Sequence, residues 1–98
     1  MADIKLELDE KKHGAFNLYD KGTKIGEMVI GISQDVLTVY HTEVDEDQSG
    51  KGYAKLLLDA MTAYARENTF KVRPLCAYVH AQFKKHPDEY ADIWLKEE

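Results

Sequence analysis

The side chains of this chain best suited to group-transfer chemistry are His41, Glu43, Cys76 and Tyr78. A histidine changes charge near neutral pH and can take a proton from an attacking group. His41 reads either as such a base or as a strand-end histidine bonded to a turn. Glu43 follows two residues later, so on a strand it shares a face with His41. It reads as an orienting group, a base, or a solvated strand-end charge. Cys76 is the single cysteine. It stands just before a helical pattern, where a thiolate can be stabilised and act as a nucleophile or proton-handling group. A lone cysteine also packs as a small hydrophobe. Tyr78 reads as a proton donor or as a buried tyrosine sharing one hydrogen bond. His80 and His86 lack cysteine or carboxylate partners at metal-ligand spacing, so no metal site is expected.

A second feature is the stretch Ser49-Gly50-Lys51-Gly52-Tyr53-Ala54-Lys55, which runs straight into an apolar helix pattern. It does not fit a Walker A loop, which needs a glycine five residues before Gly-Lys and a hydroxyl residue after it. It begins a GxGxxG fingerprint but places Lys55 at the last position, and no repeated βαβ halves surround it. The remaining alternatives are a flexible lead-in to a helix and a pyrophosphate site. In the latter, unpaired N–H groups of the first helical turn meet an anion that glycines allow to approach closely. Lys51 and Lys55 would add charge at its rim.

These residues require elements to hold them. Ile4, Leu6 and Leu8 alternate with Lys5 and Glu7, the pattern of a half-buried strand. Ala15 to Tyr19 predicts a second strand, and Asp20-Lys21-Gly22-Thr23 a hairpin turn. A third strand is expected over Lys24 to Ile32, with Gly26 and Gly31 marking bulges or close contacts. Val36 to Val44 (VLTVYHTEV) predicts a fourth. The period then changes: Ala54, Leu57, Leu58, Met61 and Ala65 share one helix face, with Lys51, Lys55, Asp59, Thr62 and Arg66 on the other. Phe70 to Cys76 predicts a fifth strand, parallel to the fourth through the helical crossover and interrupted at Pro74. A short helix over Ala77 to Lys85 and another from Pro87, with Tyr90, Ala91, Ile93, Trp94 and Leu95 on its apolar face, complete an α+β domain. Its sheet is mixed but mainly antiparallel and five-stranded, with helices after strands four and five.

The chain has 98 residues, the size of one domain, and a hydrophobic fraction of 44%. Its net charge of −5 speaks against a general nucleic-acid binder. No run is apolar enough to span a membrane, and the first residues lack the apolar core of a signal peptide. A single cysteine suits the reducing cytoplasm.

Residues 36–92 carry a resemblance. His41 to Val44 (HTEV), Pro74 to Val79 (the pattern P-x-C-x-Y-V) and His86 to Asp92 (HPDEYAD) follow in order around the glycine stretch. Ser49 to Ala54 aligns with the motif Q/R-x-x-G-x-G/A. As a set these resemble the small, cysteine-containing branch of the GNAT acyltransferase superfamily. Ser49 occupies the Q/R position, with Gln48 displaced by one residue, while Gly52 and Ala54 are kept. The resemblance implies a minimal GNAT-like domain over 1–98 that binds coenzyme A between strands four and five. Pantetheine would lie along the backbone near Val44, and Ser49, Gly50, Lys51, Gly52, Tyr53, Ala54 and Lys55 would hold the pyrophosphate. It also implies acetyl transfer from acetyl-coenzyme A to an unidentified small amine or protein amine, with Cys76 near the coenzyme thiol. A module that binds acyl-coenzyme A without transfer is the alternative.

Overall fold

The computed structural model describes residues 2–48 and 50–96. Five strands form one sheet in the order β1 (Ala2–Leu8), β2 (His13–Asp20), β3 (Thr23–Ser33), β4 (Val36–Val44) and β5 (Lys71–Pro74). The first four are an antiparallel meander, and β5 runs parallel to β4. Helix α1 (Tyr53–Glu67) makes the β4–β5 crossover, and α2 (Ala77–Lys85) and α3 (Pro87–Tyr90) follow β5. This is the expected mixed sheet with helices after strands four and five. Lys21 and Gly22 both take positive φ in the β2–β3 turn, the conformation that matches strand twist in a two-residue hairpin.

One sheet face is the core face. Leu6, Phe16, Met28 and Thr42 align across it, as do Ile30 and Val39. Helix α1 buries Leu57, Leu58, Met61 and Ala65 in the same core cluster, and its Tyr64 packs edge-on against Phe16 at 5.8 Å. Thr62, expected on the solvent side, is buried with them, because its hydroxyl donates to the Asp59 carbonyl at 3.1 Å and is thereby satisfied. The opposite face carries the rows Glu7–Ala15–Val29–His41 and Lys5–Asn17–Glu27–Glu43.

The expected bulges do not fall on the glycines. Gly26 and Gly31 instead mark close contacts: a Cβ at Gly26 would lie 3.1 Å from the Glu43 carbonyl oxygen. The extra residues are Ile25 in β3 and Tyr40 in β4. The second bulge matters most. Val39 pairs with Ile30 but His41 pairs with Val29, so the alternation of β4 changes phase at Tyr40. Leu37 and Val39 face the core before it, and Thr42 and Val44 after it.

The C-terminal segment also departs from expectation. Helix α3 ends at Tyr90, residues 91–93 form a turn, and Trp94 makes a parallel bridge to Val72 beside β5. Val72 N–H donates to the Ile93 carbonyl at 2.6 Å and Leu95 N–H to the Val72 carbonyl at 2.9 Å. Pairing there satisfies the outer edge of β5, which a continued helix would leave bare. Arg66 ties this segment to α1 through Asp92 (2.9 Å) and the Glu89 carbonyl (2.8 Å).

Candidate coenzyme-binding cleft

Strand β5 leaves β4 early. It pairs with Val36 to Val39 only, and Pro74, lacking an N–H, is its last residue. Beyond that point Cys76 N–H still donates to the Val39 carbonyl at 2.9 Å. Residues Tyr40 to Val44 of β4 continue alongside β3 with no β5 partner. The two parallel strands therefore splay apart, leaving an edge of backbone donors and acceptors on β4.

Helix α1 begins beside that opening. Gly52 is its N-cap, with φ +78°, and Gly50 has φ +81°. Both lie in the left-handed region that glycine tolerates best. A Cβ built at either meets nothing within 4 Å, so the space before the helix is open. Among the described residues no side chain caps the helix, and the first intrahelical bond runs from Leu56 N–H to the Gly52 carbonyl at 3.1 Å. The preceding N–H groups thus have no partner within the helix. The first turn holds no acidic residue, although a carboxylate is what its dipole favours. A positively polarised helix start with bare backbone in front of it suits an anion.

A cleft of about 310 Å³ joins the two features. Val44, Gln48, Gly50, Gly52, Tyr53, Ala54, Lys55 and Tyr78 line it. The structure thus adds Tyr78 to the cleft that Val44 and the glycine loop share. Ser49 lies outside the described residues. Gln48, displaced from the motif position, lines the cleft and accepts a hydrogen bond from Lys51 at 3.0 Å. Lys55 pairs with Asp59 at 2.9 Å, so neither lysine projects as an isolated charge. Burial pushes the Tyr78 phenol up from its ordinary pKa, against the nearby Lys55 charge, which lowers it. Tyr78 is therefore protonated at neutral pH and can donate.

Cys76 and His41 are not brought together. Cys76 is the N-cap of α2 and is only 5% exposed. Its Sγ lies 3.2 Å from Thr42 Oγ1, on the core side of β4. The Tyr40 bulge sends His41 to the opposite face, beside the row that carries Glu43. His41 Nε2 and Glu43 Oε1 are 4.0 Å apart, with both side chains well exposed. Thr42 was missed because no isolated threonine on a strand advertises chemistry. One signal was present: buried apolar residues at 37 and 39 but an apolar one at 44 imply a change of parity between them. His80 packs edge-on against Trp94, and His86 links α2 to α3.

No helix among the described residues is long and apolar enough to cross a membrane. No curated protein matches the chain. Among solved structures it is similar to a GCN5-like protein from Staphylococcus aureus, with 26% identity, a TM-score of 0.68, and coverage of 98% of this chain and 90% of that one. It is also similar in fold to the ribosomal-protein-alanine N-acetyltransferase of Brucella melitensis biovar Abortus 2308. Identity there is 22% and the TM-score 0.64, over 92% of this chain and 66% of that one. The ribosomal-protein-S18-alanine N-acetyltransferase of Escherichia coli gives 19% and 0.56, over 60% of this chain. This chain spans only 38% of the Escherichia coli enzyme's length. The family model of the GCN5-related N-acetyl-transferases matches residues 15–93, and the chain belongs to that family.

Proposed function

We propose that residues 1–98 form a single domain that transfers an acetyl group from acetyl-coenzyme A to a small amine or an exposed protein amine. The observation that carries this reading is the cleft in which the open β4 edge, the uncapped start of α1 and Tyr78 meet. The residues present fit the donor. Amides at Gly52 to Lys55 suit a pyrophosphate, with Gly50 and Gly52 leaving it room. The free edge of β4 near Val44 suits the amide groups of a pantetheine arm by strand-like pairing.

Acetyl-coenzyme A supplies the acetyl group as an activated thioester. For transfer, the acceptor amine must lose a proton, its nitrogen must bond the carbonyl carbon, and the carbon–sulfur bond must break. The proton from nitrogen goes to His41, with Glu43 orienting the imidazole and opposing the charge it gains. Tyr78 returns a proton to the leaving sulfur. Cys76 shares that duty from the core side, held by Thr42. Its neighbour is a hydroxyl rather than an imidazole, which favours proton handling over nucleophilic attack, since an activated nucleophile needs an adjacent base. A buried lone thiol accords with a reducing compartment such as the cytoplasm.

The test is an amine panel with acetyl-coenzyme A, following release of the free coenzyme thiol and the mass of the product. Acetylated amine formed in step with released thiol is expected. Coenzyme binding by calorimetry with no product from any amine would replace transfer by the binding-module reading. No binding at all would remove both.

A further inference from the structure

Strand β1 is the first in the sheet order and pairs only with β2 among the described strands. Asp9 N–H donates to the His13 carbonyl at 2.8 Å, and the Glu7 carbonyl lies against Gly14, where a Cβ would come within 1.9 Å of it. The odd-numbered residues therefore direct their backbone groups toward β2. Since backbone groups alternate sides along a strand, Ile4, Leu6 and Leu8 direct theirs outward. Their side chains are only half-buried, at the margin of the core. Lys5 and Glu7 stand on the other face.

We propose that the outer edge of β1 pairs with the same edge of a second copy, antiparallel and centred on Leu6. In that register the outward groups of Leu6 meet those of the partner's Leu6, and Ile4 meets the partner's Leu8. Lys5 then lies directly opposite the partner's Glu7, and Glu7 opposite the partner's Lys5. These fall at the non-hydrogen-bonded positions, where facing side chains approach most closely. Sliding by two residues one way sets Lys5 against Lys5 and Asp3 against Glu7. Sliding the other way sets Glu7 against Glu7. Within Ala2–Leu8, only the Leu6-centred register matches hydrogen bonds, apolar face and charge together. In the single chain both side chains lean toward β2, Glu7 accepting from Tyr19 Oη (2.7 Å) and Asn17 Nδ2 (2.8 Å) and Lys5 Nζ lying 5.5 Å from the Tyr19 ring centroid, so pairing across the edge requires them to turn outward. The arrangement is symmetric, as a two-fold contact requires, and it covers the apolar margin of β1. It is independent of the acetyl-transfer reading.

Sedimentation equilibrium of the full chain tests it. The parent chain is expected to dimerise reversibly. Lys5→Glu and Glu7→Lys should each weaken self-association by about tenfold or more, because each sets like charges opposite one another. A mixture of the two variants should regain the parent dimer, since every facing pair is again opposite in sign. Circular dichroism checks that each variant is folded, and should one fail, the double exchange Lys5→Glu with Glu7→Lys carries the same complementarity in one chain. Amide exchange at Ile4, Leu6 and Leu8 should slow as concentration rises, while exchange at Lys5 and Glu7 should not change. A parent chain monomeric up to about 1 mM, a dimer indifferent to Lys5→Glu, or a dimer without protection at Leu6 would each overturn the proposal.

Discussion

Replacing Gly52 by alanine separates the role of bare backbone in the anion cradle from its role in the fold. At φ +78° a Cβ is strained whatever its surroundings, at a cost of about 1–2 kcal/mol. Part of that is offset by the lower freedom of alanine in the unfolded chain, about 0.4–1 kcal/mol. Gly22, in the β2–β3 hairpin, provides a matched control. Its φ is +81° and a Cβ there also meets nothing within 4 Å. Gly22→Ala should therefore lose about as much stability in urea denaturation as Gly52→Ala. Binding should distinguish them. The added methyl at Gly52 occupies the open space ahead of the α1 amides and pushes a phosphate off at least one of them. A hydrogen bond to a charged group is worth about 1.5–3 kcal/mol, which is about 10- to 100-fold in affinity. Calorimetric titration with coenzyme A should show a loss of that order for Gly52→Ala and none for Gly22→Ala. The loss should persist at high salt, because positioned amides are screened less than mobile side-chain charges. Equal affinities for the two folded variants would refute the cradle.

Lys51→Ala should weaken coenzyme binding less than Gly52→Ala, and the difference from the parent should shrink with added salt in the same titrations. Thr42→Val, which keeps shape but removes the oxygen facing Cys76, should slow acetyl transfer about tenfold while costing no more than about 1.5 kcal/mol of stability, with Thr42→Ser close to the parent; a full-rate valine variant would release Cys76 from any dependence on that contact. Incubation with acetyl-coenzyme A alone should leave Cys76 unmodified in intact-mass spectra, and a hydroxylamine-labile acetyl group on it would restore the nucleophile role. The Arg66 guanidinium beside Asp92 holds that carboxyl below the usual carboxylate range. Asp92→Asn should then cost about 0.5 kcal/mol near neutrality, a surface ion pair's share. Because the folded value is the lower one, the difference should fade as acid protonates Asp92 and be gone once pH has fallen through it.

The meander and the long helix were legible because their periods are plain. Ile4, Leu6 and Leu8 alternate, Ala54 to Ala65 follow the helical repeat, and short polar runs mark the turns. The cleft was legible in parts. Glycines before an apolar helix announce a backbone feature, but that Tyr78 would close the same space from α2 depends on how far β5 departs from β4. Pro74 signals that departure by removing a donor, and the sequence alone cannot say to what extent. The tail from Tyr90 onward misled for a different reason. Ile93, Trp94 and Leu95 make a credible helix stripe in isolation, and only the outer edge of β5 makes a turn ending in a bridge to Val72 better.

The least legible feature has the largest chemical consequence. One extra residue, Tyr40, decides which side of β4 every later side chain occupies. Without the bulge, the same residues in regular alternation would put His41 on the face of Leu37 and Val39, among the core residues and beside the Cys76 thiol. With it, Thr42 takes that place and His41 joins Glu43 in water. An amine entering from the solvated face would then give up its proton on one side of the strand, while the leaving sulfur regains one from Tyr78 and Cys76 on the other. On this proposal His41 acts from the exposed side beside Glu43, while Tyr78 lines the cleft and Cys76 lies buried on the core side of β4. Deleting Tyr40 outright would keep both faces, because His41 would follow Val39 in regular alternation, still opposite Val29, with Thr42 opposite Met28. A folded deletion variant should therefore retain both coenzyme binding and acetyl transfer, read by calorimetry and product mass, and loss of transfer with binding kept would refute the assignment of these faces to the chemistry.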